Sequence, residues 1–421
     1  MPITTRPGVS GLLLVVLALL SAAAPFAVDM YLPAFTDLAD DLGTSAASVQ
    51  LTLTTFLIGL AVGQLFIGPL SDRYGRRTPL ILATAITVVV TVVCALAPTI
   101  WLLIAMRFVQ GVSASAGLVI GRAVGADRTE GAATAKLFTL FSAIGGIAPV
   151  LAPLLGGALV SFGWQAEFWA LSVIFALMFL GALLVVPESL PPENRQTAGF
   201  AGTLRTLGRL TADRGYLGYI FAFGFGFAAL MSYISASPFV VENVLGMSNR
   251  AYTLIFAINA AGMVLVGTVS SRLLGRFGPE PILRTGQAVT LAGGLTLLVL
   301  LAAGAPAVAV LPVLFLTVIS APMVMGTASA LAIGRARHVA GSASALMGAL
   351  QFGLGALVSP LVGLGGPGTG IPMAVSIVVA VVLGVLARLV ARNAGPVPEP
   401  EHFGNDAVPV SGGTSPGVHN A

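Results

Sequence analysis

Gly68-Pro69-Leu70-Ser71-Asp72-Arg73-Tyr74-Gly75-Arg76-Arg77 is a charged, turn-prone break between two apolar runs, and Ser271-Arg272-Leu273-Leu274-Gly275-Arg276-Phe277-Gly278 echoes it later in the chain. Working outward from the first break, residues 47–70 and 79–97 are each long enough for a membrane helix, which needs about 20 apolar residues to cross ~30 Å of hydrocarbon. The same criterion marks 11–32, 100–122, 136–160, 165–186, 216–240, 251–272, 282–303, 307–332, 342–364 and 370–390. The break and its echo each follow the second run of a set of six. Two related six-helix halves are therefore expected, 1–186 and 216–392, with a linker at 187–215 and a tail at 393–421. Parallel repeats of this kind place a substrate site near the bilayer midplane, between halves that rock about it.

Composition agrees. Of 421 residues, 57% are hydrophobic and 9% charged, whereas a soluble domain carries roughly a quarter charged; the mean hydropathy is +0.98. The fold class expected is an all-α integral membrane protein with the lipid bilayer as its solvent. Cys94 is the sole cysteine, and His338, His402 and His419 are scattered, so neither an intrachain disulfide nor a Cys/His metal site is expected. Nucleic acid is not an expected partner, because the few cations lie at membrane boundaries.

With the N-terminus cytoplasmic, 18 of the 20 Lys and Arg fall in inside segments, leaving Arg250 in an outside loop and Arg107 within a span. The positive-inside rule then puts both termini in the cytoplasm. Arg6 and the Ala22-Ala23-Ala24 stretch resemble a signal peptide, but the apolar run continues past them and favours a retained anchor. In the linker, Leu204, Leu207 and Leu210 beside Arg205 and Arg209 suggest a short helix on the membrane surface. The tail, rich in Pro, Gly, Ser and Asn, is expected to be disordered.

Four features carry chemistry. Asp29 is an acid deep in an apolar span, by default a functional residue; a carboxyl held away from water binds a proton more readily, which makes Asp29 the expected proton carrier. The plainer reading is a helix-end aspartate near outside water, with Pro33 closing the helix. Arg107 demands acceptors such as a carboxylate or backbone carbonyls, and could simply tie helices together. Asp72 among Arg73, Arg76 and Arg77 can accept charge-assisted bonds and cap the next span, with Gly75 permitting a tight turn; the arginines alone could be a membrane anchor. Gly145, Gly146, Pro149, Pro153, Gly156 and Gly157 disfavour a straight helix and admit a close neighbour, or serve packing alone.

The 68–77 segment resembles the signature loop G-x-L-x-D-R-x-G-R-R of the major facilitator superfamily. Asp29-Met30-Tyr31-Leu32-Pro33, the Gly146 to Gly157 stretch, Pro187 to Pro192, Ser235 to Phe239 and Ala340 to Ser344 resemble its Bcr/CflA drug-efflux subfamily, over residues 20–390. The resemblance implies that Asp29 carries protons and that Arg107 assists the coupling. It also implies that Gly68, Asp72, Arg73, Gly75, Arg76 and Arg77 form a cytoplasmic gate between the halves. Gly146, Pro149, Pro153, Gly156 and Gly157 match the antiporter motif of exporters, with Ala148-Pro149 and Ala152-Pro153 in place of the common Gly-Pro core. Glu167 stands where that subfamily carries an apolar residue; it is either a residue of the outer interface or a second carboxyl for protons or cations.

A chamber for varied apolar drugs relies on adaptable dispersion contacts with few fixed polar groups. Asp29, Tyr31, Phe56, Phe223, Phe227, Met231, Tyr233 and Asn259 are the candidates. Gly224 to Ala229 matches a dinucleotide fingerprint but lies in a span without βαβ context, and the glycine pairs Gly59/Gly63 and Gly117/Gly121 read as helix packing. No Walker A sequence occurs, so an ion gradient rather than ATP is the expected energy source and no cofactor is expected. The leading expectation is a monomeric proton:drug antiporter of a bacterial cell membrane. It would export small hydrophobic antibiotics of the chloramphenicol or bicyclomycin kind. A metabolite carrier on the same fold is the alternative. An intramembrane enzyme would need a nucleophile-base pair or metal cluster in the spans, and a channel would need symmetric filter rings.

Overall fold

The structure, a computed structural model, describes residues 10–129, 132–195, 208, 210–336 and 339–394. The surface helix expected around Leu204 and Leu207 and the tail beyond residue 394 lie outside the described residues. Among the described residues, twelve helices are long and apolar enough to cross a membrane. The first six are α1 (Gly11–Asp41), α2 (Ala46–Tyr74), α3 (Arg77–Ala95), α4 (Ile100–Arg128), α5 (Ala132–Leu159) and α6 (Trp164–Val185). The second six are α7 (Arg214–Phe239), α8 (Asn249–Phe277), α9 (Pro279–Ala302), α10 (Ala307–Arg335), α11 (Ala340–Val358) and α12 (Ile371–Arg392).

Capping starts these helices where the apolar runs begin. Ser45, Thr99 and Ser248 accept from the backbone N–H groups of Ser48, Leu102 and Ala251, satisfying donors that a helix start leaves unpaired. The break and its echo have one backbone solution: Gly75 (φ +90°) separates α2 from α3, and Gly278 (φ +74°) separates α8 from α9. Side chains with a Cβ rarely adopt that region, so the repeat is visible in the backbone as well as in the sequence.

Several spans outrun their expected ends. Helix α2 continues through Pro69 to Tyr74, so Asp72 and Arg73 lie in its last turn rather than in a loop. After Asp29, α1 passes through a 3-10 turn at Leu32–Ala34 and resumes as Phe35–Asp41. Helix α10 is interrupted at Ser320, two residues before Pro322, whose missing N–H and bulky ring disfavour an unbroken helix. Helix α5 runs through both Pro149 and Pro153.

In the first half α2 packs on α4, and α3 on α4 and α6. In the second, α7 packs on α10, α11 and α12, and α9 on α10 and α12. The halves meet along two seams, α2 against α11 and α5 against α8. The outward surface is apolar, as Leu184, Val308 and Leu364 illustrate, which suits lipid rather than water.

The tightest crossing is α2 on α4. A Cβ at Gly59 would collide with the carbonyl of Phe108 and lie 2.8 Å from the amide of Val112, and one at Gly111 would collide with the carbonyl of Phe56. Gly117 meets the Leu20 carbonyl in the same way. Small residues thus let backbones touch where dispersion must replace the hydrophobic effect. Gly145, by contrast, has open space around its Cβ position. Gly59→Leu should cost about 1–3 kcal/mol or more through overpacking, seen as a lower midpoint for loss of monodisperse detergent-solubilised protein on heating, while Gly145→Leu should leave that midpoint within experimental error.

Candidate functional site

The break in α1 creates the site. Pro33 lacks an N–H and its ring blocks a continuous helix, so the chain leaves helical geometry after Asp29. Asp29 is therefore the last residue of a helix, as its plainer reading had it, yet it is only 4% exposed, and its Oδ1 is buried without a hydrogen-bond partner. Beyond it the Tyr31 hydroxyl shares a 2.8 Å hydrogen bond with Thr52 of α2.

Arg107 of α4 is fully buried. One terminal nitrogen donates to Gln110 Oε1 at 2.6 Å and the other to the Ala27 carbonyl at 2.9 Å, while Nε has no partner. Gln110 in turn donates to Thr91 at 2.7 Å. The guanidinium carbon lies 4.3 Å from the ring centre of Phe56, 4.5 Å from that of Tyr31 and 5.9 Å from that of Phe168. Desolvated cation–π contacts of this kind are worth about 2 kcal/mol each. Arg107 thus grips α1 two residues before Asp29, through Ala27, and two residues after it, through Tyr31, without an ion pair to the Asp29 carboxyl.

Across the seam, Asn259 donates to the Tyr233 hydroxyl at 2.8 Å, and the Tyr233 ring stacks on Phe256 at 5.7 Å. Phe227 meets Phe352 edge-on at 5.6 Å, and Phe227 and Met231 both crowd Gly355 of α11. The structure therefore brings Asp29, Tyr31 and Phe56 together around Arg107, and sets Tyr233 and Asn259 opposite. Phe223 is elsewhere: it packs with Leu283 of α9 and Val324 and Ala328 of α10 in a separate core cluster of the second half, one helical turn along α7 from Phe227.

Helix α5 fits against both sides of the seam. A Cβ at Gly156 would run into the carbonyl of Met30, next to Asp29, and one at Gly157 into the Thr253 side chain of α8. A Cβ at Gly146 would lie 3.3 Å from the Val264 side chain of α8. Glu167 is not at a wet interface: it is fully buried, and both carboxyl oxygens lack hydrogen-bond partners.

At the bundle end away from residues 68–77, hydrogen bonds join the halves. Thr36 donates to Glu242 at 2.8 Å, Asn249 donates to the Pro33 carbonyl at 2.5 Å and to Glu242 at 3.1 Å, and Gln50 donates to the Ser235 carbonyl at 3.1 Å. These residues were not singled out in the sequence. Thr36, Glu242 and Asn249 lie at span ends, where polar side chains are ordinary.

At the 68–77 end, Arg76 pairs with Asp72 and, at 3.2 Å, with Asp127 of α4, and donates to Ser71 at 2.8 Å. Arg77 donates to the Leu183 carbonyl of α6 at 3.0 Å, while Arg73 is exposed, its charge 5.3 Å from the Tyr74 ring centre. The start of α3 is capped not by Asp72, as expected, but by Glu188 of the linker, which accepts from the backbone N–H of Arg76 (2.8 Å) and Arg77 (3.3 Å). Asp72 is engaged by the Arg76 side chain and so is turned away from that role. Glu188 also accepts from the amides of Ser189 and Leu190, Arg128 donates to its carbonyl, and Ser189 donates to Asp127. Among these bonds every partner belongs to the first half or the linker. Burial alone would push the Glu188 carboxyl above the ordinary glutamate range, but the N–H groups of Leu190, Arg76, Arg77 and Ser189 together outweigh it and hold the carboxyl below that range.

Comparison with known proteins bears on this arrangement. A family model described as Major Facilitator Superfamily matches residues 17–360. An uncharacterised MFS-type transporter of Bacillus subtilis, YdgK, is 38% identical over 88% of this chain and 93% of its own length. A bicyclomycin resistance protein homolog of Haemophilus influenzae is 31% identical over 90% of this chain and 96% of its own. Escherichia coli multidrug resistance protein MdtL is 29% identical over 65% of this chain and 70% of its own. Among solved structures, a D-xylose-proton symporter superposes with a TM-score of 0.69 at 17% identity, covering 92% of this chain and 99% of that one, a likeness of fold. These relatives bear out the resemblance to drug-efflux transporters read from the motifs.

Two outcomes check the site. Arg107→Lys keeps the charge but loses the planar face and fork that three rings and two acceptors engage, and should lower the initial transport rate about tenfold or more. Because the Glu188 carboxyl is held below its ordinary value, its contribution is intact above about pH 4 and is lost as pH falls through that lowered value. A spin label at Pro192→Cys should become mobile on acidification, and should be mobile at every pH when Glu188→Gln is added; pH-independent immobility in the double variant would contradict the clamp.

Proposed function

The chain belongs to the Major Facilitator Superfamily of transporters, and on that footing we propose that it is a proton-coupled exporter of small hydrophobic drugs. The observation that carries this reading is Asp29, a buried acid with an unpartnered oxygen at the seam between the halves, whose neighbouring cation is held by neutral groups. An ionised carboxylate so placed is costly unless paired, so the closed packing accommodates the protonated acid. The bundle end joined by Thr36, Glu242, Asn249 and Pro33 is the outer end, and the 68–77 loop, the linker 187–215, both termini and the tail 393–421 face the cytoplasm of a bacterial cell.

In the cycle, Asp29 takes a proton from outside as drug departs, and the outer hydrogen bonds then close. The halves, 1–186 and 216–392, rock as units; the proton leaves inward and drug enters against Tyr31, Phe56, Met231, Tyr233 and Asn259. Gly156 against Met30 couples the tilt of α5 to the position of Asp29. Gly68, Asp72, Arg73, Gly75, Arg76 and Arg77, clamped by Glu188 to the first half, form the inner gate. The protein works as a monomer, and each proton driven inward supplies about 2.3 kcal/mol per 100 mV. The names of the Haemophilus and E. coli relatives support drugs, bicyclomycin included, as the cargo class.

Everted membrane vesicles with an acidic lumen, given a panel that includes bicyclomycin and chloramphenicol, test this. Uptake of at least one compound should collapse with an uncoupler and fall to background in Asp29→Asn. Uptake that is indifferent to both changes would remove the proton-coupled reading.

A further inference from the structure

Glu167 is a buried carboxyl that the cycle above does not use. It lies in the first turn of α6, fully buried, with neither oxygen hydrogen-bonded. Its neighbours Trp164 and Phe168 are fixed: the Trp164 indole donates to Asp41 at 2.7 Å, and the Phe168 ring lies 5.5 Å from that of Tyr31. Glu167 thus sits in a helix turn anchored on both sides, without an ion pair of its own.

The charged and titratable groups around it are few. Helices α3 and α1 pack on α6, with a lighter contact from α5. Helix α3 carries Arg77, bonded at the far end of α6 to the Leu183 carbonyl, and buried Cys94. Helix α1 carries Asp29, Tyr31, Asp37, Asp40 and Asp41, and Lys136 lies near the opposite end of α5. Arg107 of α4 faces the ring of Phe168, with its terminal nitrogens engaged by Gln110 and Ala27. Asp37, on the stretch of α1 that follows the break, is exposed.

Two physical effects oppose each other at this carboxyl. Burial without a partner favours the neutral acid, and the start of a helix favours the anion. A buried carboxyl without a fixed partner can gain and lose a proton as its surroundings shift. Too enclosed for a drug, the position suits a ligand no larger than a proton.

We propose that Glu167 is a proton-binding site in its own right, loaded and unloaded once per transport cycle alongside Asp29. Loading turns its carboxylate into the acid with a proton taken from outer water, and unloading returns that proton to water on the other side. This rests on the proton-coupled reading above and adds a second carrier to it.

Two measurements on the full chain in liposomes test it. In Asp29→Asn, infrared difference spectra across a pH step should keep a carboxylic C=O band of apolar character. That band should shift in the Asp29→Asn/Glu167→Asp pair and vanish in Asp29→Asn/Glu167→Gln. In bicyclomycin transport driven by an imposed potential, Glu167→Gln should move about one proton fewer per molecule, lowering the limiting concentration ratio about 50-fold per 100 mV (~2.3 kcal/mol). If Glu167→Gln is poorly folded, the Glu167→Asp band shift decides. Absence of the band in Asp29→Asn, or an unchanged limiting ratio in a well-folded Glu167→Gln, overturns the inference while wild-type transport stays proton-driven. Wild-type transport indifferent to pH and potential overturns the proton-coupled reading itself, and with it the per-cycle loading.

Discussion

A guanidinium inside a membrane protein needs partners for its charge, and Arg107 finds them without a carboxylate, with Nε alone left unpartnered. Three aromatic faces, the Gln110 amide and the Ala27 carbonyl share its charge. That choice leaves Asp29, two residues along α1 from both the Ala27 and Tyr31 contacts, without an ion pair. Had the two formed an ion pair, the acid would be locked as an anion and the cation as its permanent counter-ion. Neutral partners keep the cation in place while the acid remains free to change its charge.

The surrounding fold serves that arrangement. Pro33 ends the helix at Asp29, the carbonyl of Met30 abuts Gly156, and glycines on α2 and α4 bring the Arg107 helix close. The two ends of the bundle are built differently. The end carrying residues 68–77 is held by ion pairs and a capped helix start within the first half and its linker. The other end is held by a handful of hydrogen bonds across the halves. A typical hydrogen bond contributes about 1 kcal/mol net, so that seal is of a strength that a proton or a bound molecule can offset.

Much of this was legible in the sequence because a bilayer imposes lengths and prohibits charges. Twelve spans follow from run length, and Asp29 and Arg107 stand out as charges where charge is costly. The signature residues match a known loop. What escaped were features decided by tertiary contact. Thr36, Asp37, Asp40 and Asp41 look like a loop, yet α1 resumes through them. Ser71 to Tyr74 look like a turn, yet α2 persists because Gly75 alone makes the bend. Glu167 beside Trp164 resembles an interfacial pair, and only packing against α1 and α3 buries it. Phe223 is as aromatic as Phe227 and shares its helix face, but one turn of rise along α7 brings different helices opposite and sets the two in different clusters. Gln110 and Phe168 carried no signal beyond being polar or aromatic, and Glu188 stood out only as part of the Pro187 to Pro192 stretch; their roles depend on what lies opposite.

The central claim is that Asp29 gives up a proton when cargo takes its place. Proton release on adding bicyclomycin to purified protein in weakly buffered detergent measures this most directly. The account predicts that the wild type releases about one proton more per bound molecule than Asp29→Asn. Equal release from the two, with bicyclomycin bound by both, would contradict it.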